Sequence, residues 1–259
     1  FNSLDQRTLA ILKSEISRIT NIFISDYKVS KTFCPEKKDL NFKGFSSMLQ
    51  KGKIVVLNMN IAEYKNLSKI IAAYLKLDFQ SEVMSNLSNS KVKPSVFICD
   101  EYAEYVTKTD ADFFALSREA KCINIVSTQS YSSLKNTLKD DSSVKVIIQN
   151  LINKIWFRTD DIFTIEEAQK QLGKEEKTHI SKAISENAKE TKFNYITNSF
   201  NSKNSSITES LNTYTQKDFV YDTNFFTQDL ETFSSLAFLS NGYKILKPAK
   251  LRMFPYFKK

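Results

Sequence analysis

Apolar and polar positions follow two periods along the chain, and these predict alternating helices and strands. Apolar side chains recur at helical spacing over residues 4–27 and again over 62–87. Short runs rich in β-branched and aromatic residues predict strands at 53–59, 96–99, 122–126 and 154–158. Between and after them, helical patterns cover 110–120, 131–138, 142–152 and a segment starting at Thr164, where Glu167 three residues later suggests a capping box.

Three of the predicted strands are continuous apolar runs, without the alternation of a half-buried strand. Such runs are typical of parallel strands that are buried on both faces, with crossover helices between them. The order of strands and helices therefore predicts an α/β domain over about residues 50–175, with a mostly parallel sheet flanked by helices.

The composition changes after Gly173, which separates this domain from the rest of the chain. Residues 174–216 are polar and rich in Asn, Ser, Thr and Lys, a composition compatible with a helix followed by a mobile or extended segment, and they stay unassigned. Residues 219–257 are aromatic again, with a turn at Asn241 and Gly242. We therefore expect a helical segment at 1–50, a core at 51–175, and at 176–259 a polar connector and a basic segment that packs back on the core.

The charge of the chain points weakly to a polyanionic partner. The formal net charge is +8, and residues 232–259 hold six basic side chains and no acidic one. Such a balance suits phosphate backbones or an anionic membrane surface. A Lys-rich and Asn-rich composition also gives basic proteins that have no such partner, so charge alone favours contact with DNA only slightly.

The cysteines, the histidine and the apolar runs limit the cellular compartment that we expect and the kinds of site that the chain could contain. Three widely spaced cysteines give neither a disulfide framework nor a C-x-x-C metal site, which favours a reducing, cytosolic compartment. His179 has no second histidine with which to share a metal. No run of about 18 apolar residues is present to predict a membrane span.

Asp100 and Glu101 directly follow the apolar run at 96–99. In nucleotide-hydrolysing α/β proteins, the first acid after such a strand holds Mg²⁺, usually through water, and the second polarises the attacking water. Ligands of open α/β sheets bind at the carboxyl ends of the strands, where both acids are expected. The alternative is that they are turn residues without chemistry.

A polar pair, Thr128 and Gln129, follows the next predicted strand. Side chains at this point could reach a γ-phosphate or its attacking water, a task for which some GTPases use a glutamine. The alternative is helix capping, for which Ser127, Thr128 and Ser130 are all suitable. Capping alone accounts poorly for an acid pair and a glutamine at consecutive strand ends.

Arg118 lies at the end of a predicted helix, just before the strand at 122–126. In a ring of identical subunits, such an arginine can enter the neighbour's site and stabilise transition-state charge. An arginine at a helix C-terminus is also favoured by the helix dipole. From the residues alone, the second role is the simpler one.

Four ordered blocks of sequence resemble the conjugative TraG/TraD coupling-protein family. They are GKIVVLNMNIAEYKNLSKIIAAYLKLDFQ, VFICDEYAEY, FFALSREAKCINIVSTQS and NKIWFRTDD with EEAQKQLGK, and they cover about residues 52–174. The resemblance implies a RecA-like P-loop NTPase core that forms a hexameric ring and uses ATP and Mg²⁺. By the same resemblance, Asp100 and Glu101 match the Walker B acids, with Asp100 at the metal, Gln129 matches the glutamine motif beside Thr128, and Arg118 matches the arginine finger.

The resemblance also implies a biological role. Members of this family act at the cytoplasmic face of the bacterial inner membrane, where they engage DNA–relaxase substrates and deliver them to the channel proteins of a type IV secretion system. Two alternatives stay open. One is a DNA motor of the FtsK/HerA class, and the other is a non-catalytic DNA-binding or adaptor remnant of a mobile element.

The chain departs from the family pattern in its phosphate-binding loop. The pattern G-x-x-x-x-G-K-[ST] needs two glycines five positions apart, and the four glycines of this chain include no such pair. The membrane anchor of the family is also missing from the sequence. We therefore expect the chain to be the carboxy-terminal part of a longer protein, with very weak affinity for ATP and negligible hydrolysis on its own.

Overall fold

A computed structural model describes residues 5–64, 66–87, 89, 92–187, 192–197, 199–201 and 206–255. The chain divides into two compact units, Phe1–Ile152 and Asn153–Lys259. Among the described helices, none is both long and apolar enough to cross a membrane.

The described residues of the first unit are mainly helical and contain one pair of strands. Its helices are α1 (Gln6–Ile24), α2 (Tyr27–Phe33), α3 (Phe45–Gln50), α4 (Ile61–Tyr64), α5 (Asn66–Ser85), α6 (Asp110–Leu116), α7 (Tyr131–Leu138) and α8 (Asp141–Asn150), with short 3₁₀ helices at Lys37–Asp39 and Tyr102–Glu104. Its strands are β1 (Ser95–Cys99) and β2 (Cys122–Val126). The core is formed by buried aliphatic and aromatic side chains, among them Ile71, Val83, Tyr102, Phe113, Phe114, Leu134, Val144 and Ile147.

Strands β1 and β2 pair in parallel, in register from Ser95 opposite Cys122 to Cys99 opposite Val126. One face of the pair is covered by helices, and the ring of Phe97 stacks on that of Phe79 from α5, with 5.7 Å between centroids. The segment between the two strands contains α6, as expected of a crossover connection. The predicted class, an α/β fold with parallel strands flanked by helices, is confirmed.

The prediction that these strands are buried on both faces is wrong for the described residues. Burial alternates along each strand, and the opposite face exposes Val96, Ile98, Ile123 and Ile125. The predicted strand at 53–59 is also absent. Most of its side chains are exposed, with Ile54 at 90%, and no strand among the described residues pairs with the segment. A high β-propensity yields a strand only where a partner supplies the ladder.

The second unit is built around an antiparallel sheet. Its strands are β3 (Lys154–Trp156), β8 (Ser234–Phe238) and β9 (Ala249–Arg252), in the order β3-β8-β9, and helix α9 (Ile162–Leu172) contributes to the same core. The core side chains are Trp156, Ile165, Ala168, Phe226, Leu230, Leu236 and Phe238. The run at 154–158, expected to join the parallel sheet, thus pairs antiparallel with the C-terminal stretch.

A long β-hairpin occupies the polar stretch that the sequence left unassigned. Strand β4 (Lys174–Asn187) pairs with β7 (Ser206–Phe219) along their whole length, and a small pair, β5 (Lys192–Asn194) and β6 (Ser199–Asn201), lies between them in sequence. His179 lies on this hairpin, with its ring stacked on Tyr214 and its Nε2 atom 2.5 Å from a carboxylate oxygen of Asp218.

The cap of α9 differs from the predicted one. Asp161 is the N-cap, and its Oδ2 atom accepts hydrogen bonds from the backbone N–H of Thr164 at 2.9 Å and from the Thr164 hydroxyl at 2.5 Å. The N-cap therefore lies three residues before the predicted cap at Thr164. Asp and Thr are both good caps, and the sequence pattern does not decide between them.

Lys154 provides a test of the packing in the second unit. Burial of its ammonium group lowers the pKa to about 8. An unfolded chain has a lysine pKa of about 10.4, so the unfolded state binds more protons between these two values and stability rises with pH across that window. We expect Lys154→Met to raise the melting temperature at pH 7. We also expect it to reduce the increase in melting temperature between pH 8 and pH 10.

Thermal unfolding of the unsubstituted protein and of Lys154→Met at pH 7, 8, 9 and 10 measures this effect. Lys217→Met, on the exposed surface of the hairpin, is the matched control and should leave the pH dependence unchanged. Equal pH dependence in all three proteins would contradict the burial of Lys154.

Candidate functional site

The ends of β1 and β2 are held together by backbone hydrogen bonds. The N–H of Ser127 donates to the carbonyl of Cys99 at 3.0 Å, and the N–H of Tyr102 donates to the carbonyl of Ser127 at 2.8 Å. The two chains therefore leave the sheet side by side. The residues that follow each strand, Asp100 and Glu101 on one side and Thr128 and Gln129 on the other, share one rim.

Asp100 is an exposed carboxylate at this rim, and the hydrogen bonds that it accepts both go to one of its oxygens. Its Oδ1 atom accepts hydrogen bonds from the N–H of Glu101 at 3.0 Å and from the hydroxyl of Ser127. Within the described residues, Oδ2 accepts no hydrogen bond from the protein. The side chain is thus oriented through one oxygen of an exposed residue, which leaves the other oxygen open to a ligand.

Glu101 and Gln129 face each other across the rim. The Nε2 atom of Gln129 lies 3.3 Å from Oε1 and 3.4 Å from Oε2 of Glu101. These separations are long for hydrogen bonds from an amide nitrogen. The contact therefore leaves both side chains able to turn toward a water molecule or a phosphate oxygen.

The backbone at Glu101 has an uncommon conformation. Its φ of 50° and ψ of 42° lie in the left-handed region, which costs a residue with a Cβ atom about 1–2 kcal/mol. This conformation turns the chain from β1 into the 3₁₀ helix Tyr102–Glu104. Strained residues of this kind persist where surrounding contacts fix them, and they are frequent at functional sites.

Thr128 belongs to the connection between β2 and α7. It is half-buried, and its hydroxyl donates to the carbonyl of Ser130 at 3.3 Å. Ser130 is the N-cap of α7, and its Oγ atom accepts from the N–H of Ser133 at 3.1 Å. Of the three capping candidates in this loop, Ser130 takes that role, and Gln129 remains exposed at the rim.

Arg118 lies away from the other predicted site residues. It is exposed in the turn that precedes β2, beyond the amino end of that strand. The rim is at the carboxyl end, and a strand of this length spans about 13 Å. Within one chain, the structure therefore does not bring Arg118 to Asp100, Glu101 and Gln129.

A buried polar cluster lies behind the rim, and the sequence analysis missed it. Asp110 is fully buried and forms an ion pair with buried Lys76, with 2.5 Å between Oδ2 and Nζ. The hydroxyl of Tyr102, the residue after Glu101, also donates to Asp110 Oδ2 at 2.6 Å. The available signal was Lys76 itself, because it falls at helical spacing with the buried side chains Phe79 and Val83 of α5.

Burial at this cluster changes the proton affinities of three side chains. It raises the pKa of the Cys99 thiol to about 11 and raises that of the Tyr102 phenol, which Asp110 also disfavours as an anion. It lowers the pKa of the Lys76 ammonium, against the opposing attraction of Asp110. At neutral pH, Cys99 and Tyr102 are therefore protonated, and Tyr102 is a hydrogen-bond donor.

Together, the rim offers carboxylate oxygens and an amide within a few ångströms of each other. A solvent-facing carboxylate such as Asp100 can hold Mg²⁺ directly or through water, since Mg²⁺ is commonly held by one or two carboxylates together with substrate phosphates. Glu101 and Gln129 present an acceptor and a donor on the same side. These groups are suited to orienting a water molecule.

Comparison with known proteins agrees with the sequence blocks. Residues 94–219, just under half of the chain, match a protein family described as the "TraM recognition site of TraD and TraG". This range contains β1, β2, the rim and the long hairpin. No curated protein sequence matches the chain.

Solved structures also resemble the chain, and the one described next does so at a low level. It is the unbound, monoclinic form of the bacterial conjugative coupling protein TrwBdeltaN70, with 16% sequence identity and a TM-score of 0.45. The similarity covers 72% of this chain but only 38% of that one, and it is too distant to support an inference about function. The family match stands independently of it. Residues 94–219 are thus similar to the matched region of TraD and TraG proteins.

Proposed function

We propose that the chain is part of a DNA-translocating ATPase, a type IV secretion coupling protein that delivers DNA–relaxase substrates to a conjugation channel. The observation that carries this proposal is the shared rim, where two consecutive acids and a glutamine meet at the ends of parallel strands. The match of residues 94–219 to the TraD and TraG family supports the same role. The protein would act at the cytoplasmic face of the bacterial inner membrane.

Asp100 is the proposed ligand of Mg²⁺, directly or through water. Its Oδ1 atom is fixed by Ser127 and by the N–H of Glu101, which leaves Oδ2 open to a ligand. An exposed, oriented carboxylate fits a hard cation that also binds phosphate oxygens. When bound, Mg·ATP would supply the phosphoryl group and neutralise developing charge.

Glu101 and Gln129 are the proposed water-orienting pair. The carboxylate accepts a proton or a hydrogen bond from the attacking water, and the amide of Gln129 donates to that water or to the γ-phosphate. Their loose contact supports this role, since a tighter hydrogen bond would have to be broken before either group could turn. Thr128 lies beside them and is a second candidate for contact with the nucleotide.

Triphosphate binding is proposed for the full-length gene product, not for these 259 residues alone. Backbone N–H groups and a lysine of a phosphate-binding loop supply most of the affinity for phosphate in such enzymes. The sequence has no G-x-x-x-x-G-K-[ST] pattern. The proposal assigns these donors to a segment outside these residues.

Arg118 is proposed to act on a neighbouring subunit. Its exposed side chain lies at the opposite end of β2 from the rim, where it can serve a site other than its own. An arginine supplied across a subunit boundary stabilises charge on the transferred phosphoryl group. This arrangement requires an assembly of copies, for which the family resemblance suggests a hexameric ring.

A basic stretch in the second unit is the proposed contact with DNA. Lys244, Lys247 and Arg252 are exposed there, and no salt bridge occupies them within the described residues. The side chain of Asn241 shapes the turn, since its Oδ1 atom accepts from the N–H groups of Tyr243 and Lys244 at 3.1 and 3.0 Å. Lys258 and Lys259, counted with this basic segment, lie outside the described residues.

Substitution of the two acids tests hydrolysis. In the full-length protein, we expect Asp100→Ala and Glu101→Gln each to lower kcat for ATP hydrolysis by at least about a hundredfold, because each removes a group that acts on the transition state. Asp112→Asn removes an exposed carboxylate of α6 in the same unit and should leave kcat within about twofold. Steady-state hydrolysis and circular dichroism measure activity and folding. Normal kcat in both acid variants would refute the assignment.

The salt dependence of binding tests the DNA contact. Replacing Lys244 and Lys247 together by Ala should weaken binding of single-stranded DNA to the 259-residue chain. The slope of log K against log salt should fall by about 1.4, as expected when two phosphate contacts are lost.

The matched control replaces Lys182 and Lys217, which face carboxylates across the hairpin, and makes the same change in net charge. Fluorescence anisotropy at several salt concentrations measures both slopes. Equal slopes in the two double variants, or binding to anionic vesicles in place of DNA, would contradict the assignment.

A further inference from the structure

The buried carboxylate of Asp110 joins the segment that follows the acid pair to helix α5. Its Oδ2 atom accepts from Lys76 Nζ at 2.5 Å, from the Tyr102 hydroxyl at 2.6 Å and from the N–H of Thr107 at 3.0 Å. Its Oδ1 atom accepts from Gln80 Nε2 and from the Thr107 hydroxyl, both at 3.0 Å. With five donors on two oxygens, this carboxylate is fully paired. We call these residues, Lys76, Gln80, Tyr102, Thr107 and Asp110, the Asp110 clamp.

Lys76 extends the clamp to the main chain. Its ammonium group also donates to the carbonyl of Tyr105 at 2.7 Å and to the hydroxyl of Thr107 at 3.1 Å. The segment from Tyr102 to Asp110 is therefore fixed at its start, its middle and its end. Helix α5 supplies the fixed side, since both Lys76 and Gln80 belong to it.

Tyr102 connects the clamp to the rim. Its ring is fully buried, its hydroxyl is bound to Asp110, and its N–H is bound to the carbonyl of Ser127 at the end of β2. Glu101 is the one residue between this fixed point and Asp100. Its left-handed backbone is therefore determined from both sides, and so is the direction in which its side chain leaves the chain.

We propose that the Asp110 clamp is a positioning device for Glu101 in the proposed hydrolysis reaction, with Tyr102 and Asp110 as positioning residues. This inference rests on the proposed function and adds residues to it that touch neither nucleotide nor metal. A catalytic carboxylate must be held within a fraction of an ångström of its productive geometry. The clamp supplies that restraint to a side chain whose own contact, with Gln129, is loose.

A single variant separates positioning from folding. Tyr102→Phe removes only the hydroxyl and keeps the ring that packs against Phe114, at 5.8 Å between centroids. Asp110→Ala is unsuitable alone, because an unpaired buried Lys76 would destabilise the whole unit. Val144→Ala, a buried position of α8 outside the clamp, is the matched control for lost stability.

The first measurement is amide hydrogen exchange in the 259-residue chain. In Tyr102→Phe, the amide of residue 102 should exchange about tenfold faster or more, beyond any change in the rest of the unit, because a hydrogen bond to a charged acceptor is lost there. Val144→Ala should change exchange across the unit without this local excess. Equal protection of residue 102 in both variants would overturn the proposal.

The second measurement is steady-state hydrolysis by the full-length protein. Tyr102→Phe should lower kcat about threefold to tenfold with KM for ATP unchanged, because it affects the aim of Glu101 and not binding of the nucleotide. Val144→Ala should leave both constants unchanged.

The outcomes separate this proposal from the one on which it rests. If Asp100→Ala and Glu101→Gln retain hydrolysis, the proposed function fails and the clamp has no reaction to serve. If those two variants lose hydrolysis but Tyr102→Phe keeps its kcat, the proposed function stands and the positioning role is overturned. A fall in kcat matched by Val144→Ala also overturns it, because general loss of stability then explains the effect.

Discussion

The parallel pairing of β1 and β2 is the constraint on which the candidate site depends. Its register ends with Cys99 opposite Val126. Beyond this point, the N–H of Ser127 donates to the carbonyl of Cys99, and the N–H of Tyr102 donates to the carbonyl of Ser127, so the pairing continues into the loops. A shift of one residue would turn every side chain of a strand to the opposite face. The meeting of Asp100, Glu101 and Gln129 thus follows from backbone geometry and needs no strong side-chain contact of its own.

Behind the pairing of β1 and β2 lies a buried ion pair, whose formation carries a desolvation penalty. A hydrophobic contact in its place could have stabilised the protein equally well. Replacing a buried pair by apolar residues is often neutral or stabilising, so the pairing of Lys76 with Asp110 is weak evidence for a role in stability. The ion pair instead fixes the orientation of the side chains bound to it, because hydrogen bonds fix orientations that apolar packing leaves free. The opposite face of the two strands β1 and β2 is apolar and exposed, with Ile98 at 71% exposure. The two faces of this strand pair therefore differ in what covers them.

The sequence predicted the rim well because local and tertiary signals agree there. An apolar run that ends in two acids marks the carboxyl end of a strand, and parallel strands bring such ends to one edge. The Asp110 clamp could not be predicted in the same way, since Lys76 and Asp110 are far apart in sequence and only the packing of α5 brings them together. Arg118 was expected at the end of a helix just before β2, and it lies in the turn between α6 and β2.

The errors have equally specific causes. The segment at 53–59 has the composition of a strand but pairs with no strand in the described part of the chain, and composition does not show whether a neighbour exists. The hairpin of β4 and β7 was missed because most of its side chains are exposed and polar, which removes the apolar alternation that marks a strand. The cap of α9 was displaced by three residues because Asp161 and Thr164 are both suitable caps.

The most direct test of this account places a second carboxylate at the rim. In Gln129→Glu, two like charges would stand where Gln129 Nε2 and Glu101 Oε1 are now 3.3 Å apart, which disfavours ionisation of one of them. The account predicts that NMR titration of this variant shows a glutamate pKa raised above its ordinary value of about 4.3, and that Gln216→Glu, facing Lys177 on the hairpin, shows no such rise. Ordinary pKa values for both glutamates at the rim would contradict the shared rim and the hydrolysis site built on it.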